Sequence, residues 1–187
     1  MPGLELEGVN VWLGAQHVLK NIDLSVAQGE CVALLGPSGC GKTTTLRTIA
    51  GFIHPQAGDV RISGQSCVDL PPNRRNVGLV FQDYALFPHM TVAQNVGYGL
   101  RMRKRSDSES EKLVHQVLEM VQLDHVKDRM PQSLSGGQRQ RVALARALVI
   151  KPDILLLDVN MPNCSGPELA QLIRLQDEWL SVPVIYL

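Results

Sequence analysis

The segment GPSGCGKTT at residues 36–44 constrains the fold of this chain more than any other feature of the sequence. It follows a continuous apolar run, Cys31 to Leu35, and it leads into a helical pattern that begins at Lys42 and ends at Gly51. A buried strand, a glycine-rich turn and a helix in this order form the unit from which parallel α/β sheets are built. The sequence therefore predicts an α/β protein, with an ordinary glycine turn before a helix as the simpler alternative for this segment.

The same segment has the composition of an anion-binding loop. Glycines let successive backbone N–H groups turn inward, and the helix that follows adds the positive end of its dipole. The spacing G-x-x-x-x-G-K-[ST] is that of the P-loop, which holds a triphosphate. We expect Lys42 to reach the β and γ phosphates of ATP, Thr43 to bind Mg²⁺ and Thr44 to add a phosphate contact. The predicted ATP-binding residues are Gly36, Pro37, Ser38, Gly39, Cys40, Gly41, Lys42, Thr43 and Thr44, with Cys40 as a small filler.

Composition limits the other classes of function. Eighteen basic and eighteen acidic residues leave no formal net charge, so the balance of charge does not indicate a nucleic-acid or lipid partner. No stretch approaches the roughly 18 apolar residues that cross a bilayer, and residues 1–14 lack the pattern of a signal peptide. The cysteines, Cys31, Cys40, Cys67 and Cys164, are too scattered for a disulfide framework or a zinc site. We expect a soluble cytoplasmic chain that binds no nucleic acid.

The rest of the chain predicts a small antiparallel β layer, a parallel sheet and a helical region. Helical periodicity fills residues 91–150. Within it the basic run Arg101 to Arg105 and the polar run Ser106 to Glu111 predict a solvated loop before a helix over 111–123, with a binding patch as the alternative. The predicted strands are 4–11, 18–26, 59–62, 77–81, 154–157 and 182–187, and a last helix is expected near 167–177.

A second motif narrows the class. The residues LSGGQ at 134–138, followed by RQRVALARAL, resemble the signature of the nucleotide-binding domains of ABC transporters. With the P-loop, they identify residues 1–158 as such a domain, a P-loop NTPase core with a helical subdomain at about 84–150. The start of the helix would form a second anion site, and a simple N-cap by Ser133 or Ser135 is the alternative. The resemblance implies that Ser135, Gly136, Gly137 and Gln138 bind the ATP of a partner in a head-to-tail homodimer.

The resemblance extends to the segment between the two motifs. Gln82 ends the strand VGLVFQ and matches the family's Q-loop glutamine, which contacts Mg²⁺ and the γ phosphate. The sequence DYALFPHMTVAQNVGYGL after it resembles importers of polyamines, ferric iron or sulfate, which drive uptake by ATP hydrolysis at the inner face of the cell membrane. It predicts that Tyr84, Leu86, Phe87 and His89 are exposed beside the nucleotide and contact a transmembrane permease subunit, with core packing of the same residues as the alternative.

The residues at the end of the strand ILLLD match the family's metal-binding position but not its catalytic glutamate. Asp158 ends the strand ILLLD and matches the aspartate that orients Mg²⁺, so the predicted catalytic residues are Lys42, Gln82 and Asp158, and the predicted metal ligands are Thr43, Gln82 and Asp158. The family places a catalytic glutamate next, where this chain has Val159, and the switch histidine has no counterpart before Leu187. Hydrolysis should therefore be severely impaired. Trp12 and Leu13 are alternatives for the residue that stacks on adenine.

The end of the chain resembles a different family. Residues 154–187 are similar to the middle of a response-regulator receiver domain, with D-x-x-M-P-x-x-x-G at Asp158, Met161, Pro162 and Gly166. We therefore expect a truncated or chimeric chain in which residues 159–187 form a strand, helix and strand that complete the sheet. Three hypotheses remain: an importer ATPase subunit, a nucleotide-binding chimera or truncation without turnover or a transport role, and a receiver-like module phosphorylated on Asp158.

Overall fold

The structure, a computed structural model, describes residues 2–158 and 179–187. The strands are β1 (Pro2–Leu13), β2 (Gln16–Ala27), β3 (Cys31–Ala33), β4 (Ala57–Ile62), β5 (Gln65–Ser66), β6 (Val77–Val80), β7 (Ile154–Leu157) and β8 (Val184–Tyr186). The helices are α1 (Lys42–Ile49), α2 (Val92–Met102), α3 (Asp107–Met120) and α4 (Gly136–Leu148). Short 3₁₀ turns lie at Pro72–Arg74, Asp124–Val126 and Pro131–Ser133.

The first sheet is antiparallel, in the order β2-β1-β4-β5. Alternation along β1 buries Leu4 and Leu6, as the period of a strand with one covered face requires, and after an irregularity in the register between Leu6 and Val9 it buries Val9 and Val11. Gly14 has a φ of 60°, and this left-handed conformation lets the chain turn tightly from β1 into β2. This sheet is the predicted antiparallel layer.

The second sheet is parallel, in the order β3-β8-β7-β6. All four residues of β7 are buried, as expected for a strand covered on both faces. Leu155 and Leu157 face a core built mainly from the helices, whereas Ile154 and Leu156 face a core shared with α1 and the antiparallel sheet. The parallel sheet therefore separates two hydrophobic cores, and its successive side chains serve them alternately.

Helices α2, α3 and α4 form the helical region between β6 and β7. Helix α3 begins at Asp107, earlier than the predicted 111, because the Ser106 hydroxyl accepts a hydrogen bond from the Glu109 N–H and caps the first turn. Residues 101–105 are exposed, as predicted for a solvated loop, although Arg101 and Met102 still belong to α2. None of the helices within 2–158 and 179–187 has both the length and the apolar character that crossing a membrane requires.

Most predicted strands are observed with shifts at their ends. Strand β4 begins at Ala57 and β6 ends at Val80, whereas β8 starts at Val184, after Pro183, whose missing N–H cannot join the ladder. The predicted helix near 167–177 lies outside the described residues. The α/β fold with a parallel sheet, a small antiparallel layer and helices is confirmed.

Candidate functional site

The glycine-rich loop connects the end of β3 to the first residue of α1. Gly41 is the N-cap of α1 with a φ of 102°, and a Cβ placed on it would lie 2.9 Å from Leu19 Cδ2. Both the backbone conformation and the space therefore require glycine. Among the described residues no side chain caps this helix, and its first turn has no acidic residue, so its first N–H groups and its dipole are available to an anion.

Lys42 lies across the loop that precedes it. Its Nζ donates hydrogen bonds to the carbonyl oxygens of Gly36 at 2.7 Å and Pro37 at 3.0 Å, and it lies 3.7 Å from Cys40 Sγ. An ammonium group has three N–H donors, and a phosphate oxygen is a far better acceptor for the third than a thiol. The carbonyl of Pro37 thus orients the lysine. Pro37 and Cys40 were both predicted to bind ATP, but neither is among the residues that line the adjacent cleft.

A cleft of about 450 Å³ opens beside this loop. Lys42, Thr43, Gln82 and Asp158 all line it. Strands β6 and β7 are parallel neighbours, and the Asp158 N–H donates to the Val80 carbonyl at 3.0 Å, so their carboxyl ends bring Gln82 and Asp158 to one edge of the sheet. Ligands of open α/β sheets bind at this edge. The other lining residues are Leu34, Leu35, Gly36, Ser38, Gly39, Gly41, Thr44 and Leu187.

Asp158 has an unfavourable environment for its own charge. Burial raises the pKa of this carboxyl above its usual value, the charge of Arg47 opposes that rise, and the charge of Asp83 adds to it. A cation in the cleft would stabilise the carboxylate. Magnesium binds through one or two carboxylates together with substrate phosphates and water, so Asp158 with the Thr43 hydroxyl is a donor set that fits it. No cluster of three or more His, Cys, Asp or Glu suited to a metal occurs within the two described ranges.

Arg75 supports the site from the other end of α1, and sequence reasoning missed it. This side chain is only 4% exposed, and its guanidinium donates to the carbonyls of Thr48 at 2.9 Å and Ile49 at 3.0 Å. These carbonyls belong to the last turn of the helix, where no intrahelical donor is available. A buried cation at the C-terminal end also matches the helix dipole. The only sequence signal was a basic residue in a turn, which is too common to interpret.

The signature residues form the start of α4. The Ser135 Oγ accepts from the Gln138 N–H at 3.2 Å, and the Gln138 Oε1 accepts from the Ser135 N–H at 2.9 Å, which is a capping box. Ser133 instead donates to the Met130 carbonyl. The N-cap alternative is therefore realised by Ser135, and Gln138 is engaged within the cap. None of residues 135–138 is among the described residues lining the P-loop cleft.

The segment after Gln82 is less exposed than the sequence predicts. Tyr84 and Leu86 are half-buried and pack against the core of the helical region, and Phe87 is half-buried with its ring 4.6 Å from that of Tyr98. His89 is exposed. Core packing therefore holds part of each of the first three side chains, and only the fourth has the predicted exposure.

The two candidates for the adenine contact lie at the β1 hairpin. The Trp12 ring stacks on His17 with centroids 3.8 Å apart and planes 5° apart, and Leu13 is 47% exposed. Neither lines the P-loop cleft, so the assignment stays open. The predictions at Val159, Met161, Pro162 and Gly166 lie outside the described residues.

Comparisons with known proteins agree with this arrangement. The chain is 54% identical over 154 residues to a spermidine/putrescine import ATP-binding protein of Oleidesulfovibrio alaskensis, an alignment covering 82% of this chain and 41% of the relative. It is 51% identical over 160 residues to an Fe(3+) ions import ATP-binding protein of Fusobacterium nucleatum (86% and 43%) and 54% identical over 159 residues to a sulfate/thiosulfate import ATP-binding protein of Pectobacterium atrosepticum (83% and 48%). The chain thus spans less than half the length of these curated relatives.

Solved structures share the fold. CbiO1 of Clostridium perfringens, part of an ABC transporter complex, superposes with a TM-score of 0.82 at 28% identity, covering 99% of this chain and 78% of that one. A dimeric post-hydrolysis state of the ATP-binding cassette MJ0796 bound to ADP and Pi gives a TM-score of 0.82 at 33% identity, with coverages of 98% and 87%. The ABC transporter family model matches residues 19–159, which include both the P-loop and the signature helix, and the chain therefore belongs to the ABC transporter family.

Proposed function

We propose that this chain binds ATP with Mg²⁺ and acts as the ATP-binding component of an importer. The observation that carries the proposal is the convergence of Lys42, Thr43, Gln82 and Asp158 on one cleft beside the P-loop. The family match and the relatives named as import ATP-binding proteins support it. The loop N–H groups and Lys42 would hold the phosphates, and the α1 dipole would favour their negative charge.

We propose Thr43, Asp158 and Gln82 as the residues that hold Mg²⁺ in this cleft. The bound ion would neutralise the charge that develops on the phosphates. Thr43 contributes a hydroxyl oxygen from the first turn of α1, and Asp158 a carboxylate from the end of β7. Gln82 is exposed and lines the same cleft, where its amide would contact the ion directly or through water. Lys42, Gln82 and Asp158 would together act on the reacting phosphate.

The ability to hydrolyse ATP distinguishes two candidate functions. By family, the importer component hydrolyses ATP to drive uptake, but Val159 follows Asp158 where a glutamate would activate water. A valine side chain can neither accept a proton nor orient a water molecule. This substitution favours the second candidate, a nucleotide-binding chimera or truncation that lacks turnover and a transport role. The C-terminal residues 159–187 are proposed to be a receiver-like fragment that completes the sheet, and β8 supplies its last strand.

We propose that ATP joins two copies of the chain head to tail, with the signature of each facing the ATP of the other. The capping box leaves the Ser135 hydroxyl proton and the N–H groups of Gly136 and Gly137 at the positive end of α4. Apart from its own helical turn, a Cβ on Gly137 would meet no atom of residues 2–158 and 179–187 within 4 Å. Packing within the monomer therefore does not require glycine there, and close approach by a nucleotide would. The dimeric structure of MJ0796 with ADP and Pi supports the formation of a dimer.

A transmembrane permease is the proposed partner, contacted by the segment that contains Tyr84, Leu86, Phe87 and His89. Tyr84 and Leu86 are half-buried against the helical region and the Phe87 ring contacts Tyr98, so the segment would present a defined, partly apolar surface with His89 exposed. The chain would then lie in the cytoplasm at the inner face of the membrane. The relatives are named for polyamine, ferric iron and sulfate import, and we propose a solute of the polyamine or ferric iron type.

The test measures nucleotide binding and phosphate release on one preparation. Wild type should bind MgATP, and Lys42→Ala should weaken binding by at least about tenfold, because it removes a charge-assisted contact of about 1.5–3 kcal/mol. Its melting temperature should change little, because the hydrogen bonds of Lys42 within the described residues go only to two loop carbonyls and Cys40. Phosphate release by wild type and Val159→Glu then separates the candidates. Folded wild-type protein that binds no nucleotide would refute the proposal.

A further inference from the structure

Arg146 joins helix α4 to the segment that follows Gln82. Its Nη1 donates to the carbonyl of Ala85 at 2.7 Å, and its Nη2 donates to the carbonyl of Tyr84 at 2.9 Å. A guanidinium presents its donors in a rigid planar fork, so two parallel hydrogen bonds fix orientation as well as distance. These two carbonyls lie two and three residues after a predicted nucleotide contact, and the fork lies near the end of the helix that begins at the signature.

The backbone that Arg146 holds has an unusual conformation. Tyr84 and Ala85 have φ values of 62° and 44°, so two successive residues other than glycine adopt the left-handed region. Side chains with a Cβ disfavour this region, and such a turn persists only where its surroundings hold it. It turns both carbonyls toward the fork. Without Arg146, the segment would lose the contact that compensates for this conformation.

In the described part of the chain, the charge of Arg146 is not engaged in a salt bridge. Burial lowers the pKa of its guanidinium, and the charge of Asp83 opposes that effect. No ion pair with a carboxylate within 4.0 Å involves it among residues 2–158 and 179–187. Burying an arginine against carbonyls is costly unless the fork is well satisfied. The aromatic face of Phe87, with its centroid 5.7 Å from the guanidinium carbon, adds a cation–π contact from the same segment.

A buried polar residue on α2 holds the far end of the segment. Asn95 on α2 is fully buried, and its amide accepts from the Phe87 N–H at 2.8 Å and donates to the Phe87 carbonyl at 3.1 Å. It also donates to the carbonyls of Met90 and Thr91. Residues 84–91 are therefore clamped to α4 at one end and to α2 at the other. Gln82 lies two residues before the first carbonyl that Arg146 holds.

We propose that Arg146 is a positioning residue that fastens the segment after Gln82 to the signature helix α4, so that the Gln82 amide and this helix move as one body when nucleotide binds. The inference rests on the proposed function, because it assigns the Gln82 amide to Mg²⁺ and the γ phosphate. It deepens that function by adding a mechanical link between two nucleotide contacts. Gln82 would contact the ATP in the chain's own P-loop, and the N-terminus of α4 would contact the ATP of the partner.

The test compares Arg146→Gln with Arg141→Gln in the full chain. Arg141 is a matched control because it lies on the same helix and donates to a carbonyl of the helical region, that of Val121 at 3.1 Å, instead of the segment after Gln82. We expect Arg146→Gln to raise the Kd for MgATP about tenfold and to leave the Kd for ADP without Mg²⁺ within about twofold of wild type. Arg146→Lys, which keeps the charge and part of the donor set, should recover part of the loss.

Hydrogen exchange supplies a second readout. The Tyr84 N–H donates to the Phe81 carbonyl at 3.0 Å, and exchange of peptides covering 81–87 should accelerate in Arg146→Gln but not in Arg141→Gln. Equal weakening of MgATP and ADP, or unchanged exchange in 81–87, would overturn the inference while leaving the proposed function intact. A wild-type chain that binds no MgATP would remove both. If Arg146→Gln does not fold, Arg146→Lys undergoes the same measurements with the same outcomes.

Discussion

Gly137 in the first turn of α4 is a glycine without a structural reason inside the monomer. Outside its own turn, a Cβ on it would meet no atom of the described part of the chain within 4 Å, and the residue has a helical conformation that alanine adopts readily. Glycine in a helix is less stable than alanine by roughly 0.5–1 kcal/mol, with less expected near an end. Gly137→Ala should therefore leave the monomer as stable as wild type or raise its free energy of unfolding by up to about 0.5 kcal/mol.

The same methyl group should weaken the proposed dimer. If the N–H groups of this turn approach a partner's phosphate closely, an added Cβ would overpack the contact at a cost of about 1–3 kcal/mol. A head-to-tail dimer contains the contact twice, so the expected loss is about 2–6 kcal/mol, which is at least about thirtyfold in the dimer dissociation constant. Binding of MgATP to the P-loop cleft of the monomer should stay unchanged, because residues 135–138 do not line that cleft in the described structure.

Sedimentation velocity with and without MgATP measures the dimer, and urea unfolding measures the monomer. Gly99→Ala is the matched control, because a Cβ on Gly99 would lie 2.7 Å from Ile150 Cγ2. That variant should lose about 1–3 kcal/mol of stability and still form the dimer when folded. If Gly137→Ala dimerised with MgATP as wild type does, or lost stability as Gly99→Ala should, the reasoning about this turn would be refuted.

Two further predictions concern the scaffold of the site. Arg75→Met should lower the free energy of urea unfolding by about 2–4 kcal/mol, because it removes the guanidinium donor from the buried Ile49 carbonyl and one of the donors from the Thr48 carbonyl, which keeps the Gly51 N–H. Exposed Arg74→Met should change this free energy by less than about 0.5 kcal/mol, and equal effects would contradict the assigned role. Hydrogen bonds from the Ser66 hydroxyl and, to a smaller extent, from Arg61 lower the pKa of Asp59 in the folded protein. The ionised Asp59 therefore stabilises the fold fully above the unfolded-state pKa, and this contribution is lost as pH falls through the lower folded-state pKa. Asp59→Asn should therefore lower the free energy of unfolding at pH 6 and make it fall less steeply with pH below pH 4. If the free energy of unfolding from urea titrations fell as steeply in the variant as in wild type, this reasoning would be wrong.

The phosphate-binding loop could be predicted because its chemistry is contiguous in sequence. Gly41, Lys42 and Thr43 act through neighbouring backbone and side-chain groups, and the apolar run before them marks the strand on which the loop is built. The signature turn could be predicted as a helix start for the same reason. Its alternative function as a cap is what Ser135 and Gln138 visibly perform, and its predicted contact with a partner's ATP stays a prediction.

Other parts of the site depend on contacts that no local pattern contains. The exposure predicted for Tyr84, Leu86 and Phe87 was too high, because Tyr84 and Leu86 pack against the core of the helical region and the Phe87 ring contacts Tyr98 on α2. Arg75 and Arg146 each bind carbonyls far away in sequence, 26 or 27 residues earlier for Arg75 and 61 or 62 residues earlier for Arg146. An arginine that donates to a distant backbone has no spacing by which it can be recognised.

By itself, the sequence determined the family, the class of fold and the loop that would cradle the phosphates, because periodicity, glycine conformations and a lysine at a fixed spacing act over a few residues. Only the tertiary structure decided the strand order, in which β8, the last strand, lies between β3 and β7. It also decided that Gln82 and Asp158 meet Lys42 at one edge of the sheet. Hydrogen bonds between distant strands and burial against distant helices set these positions, and their free energy depends on the whole fold.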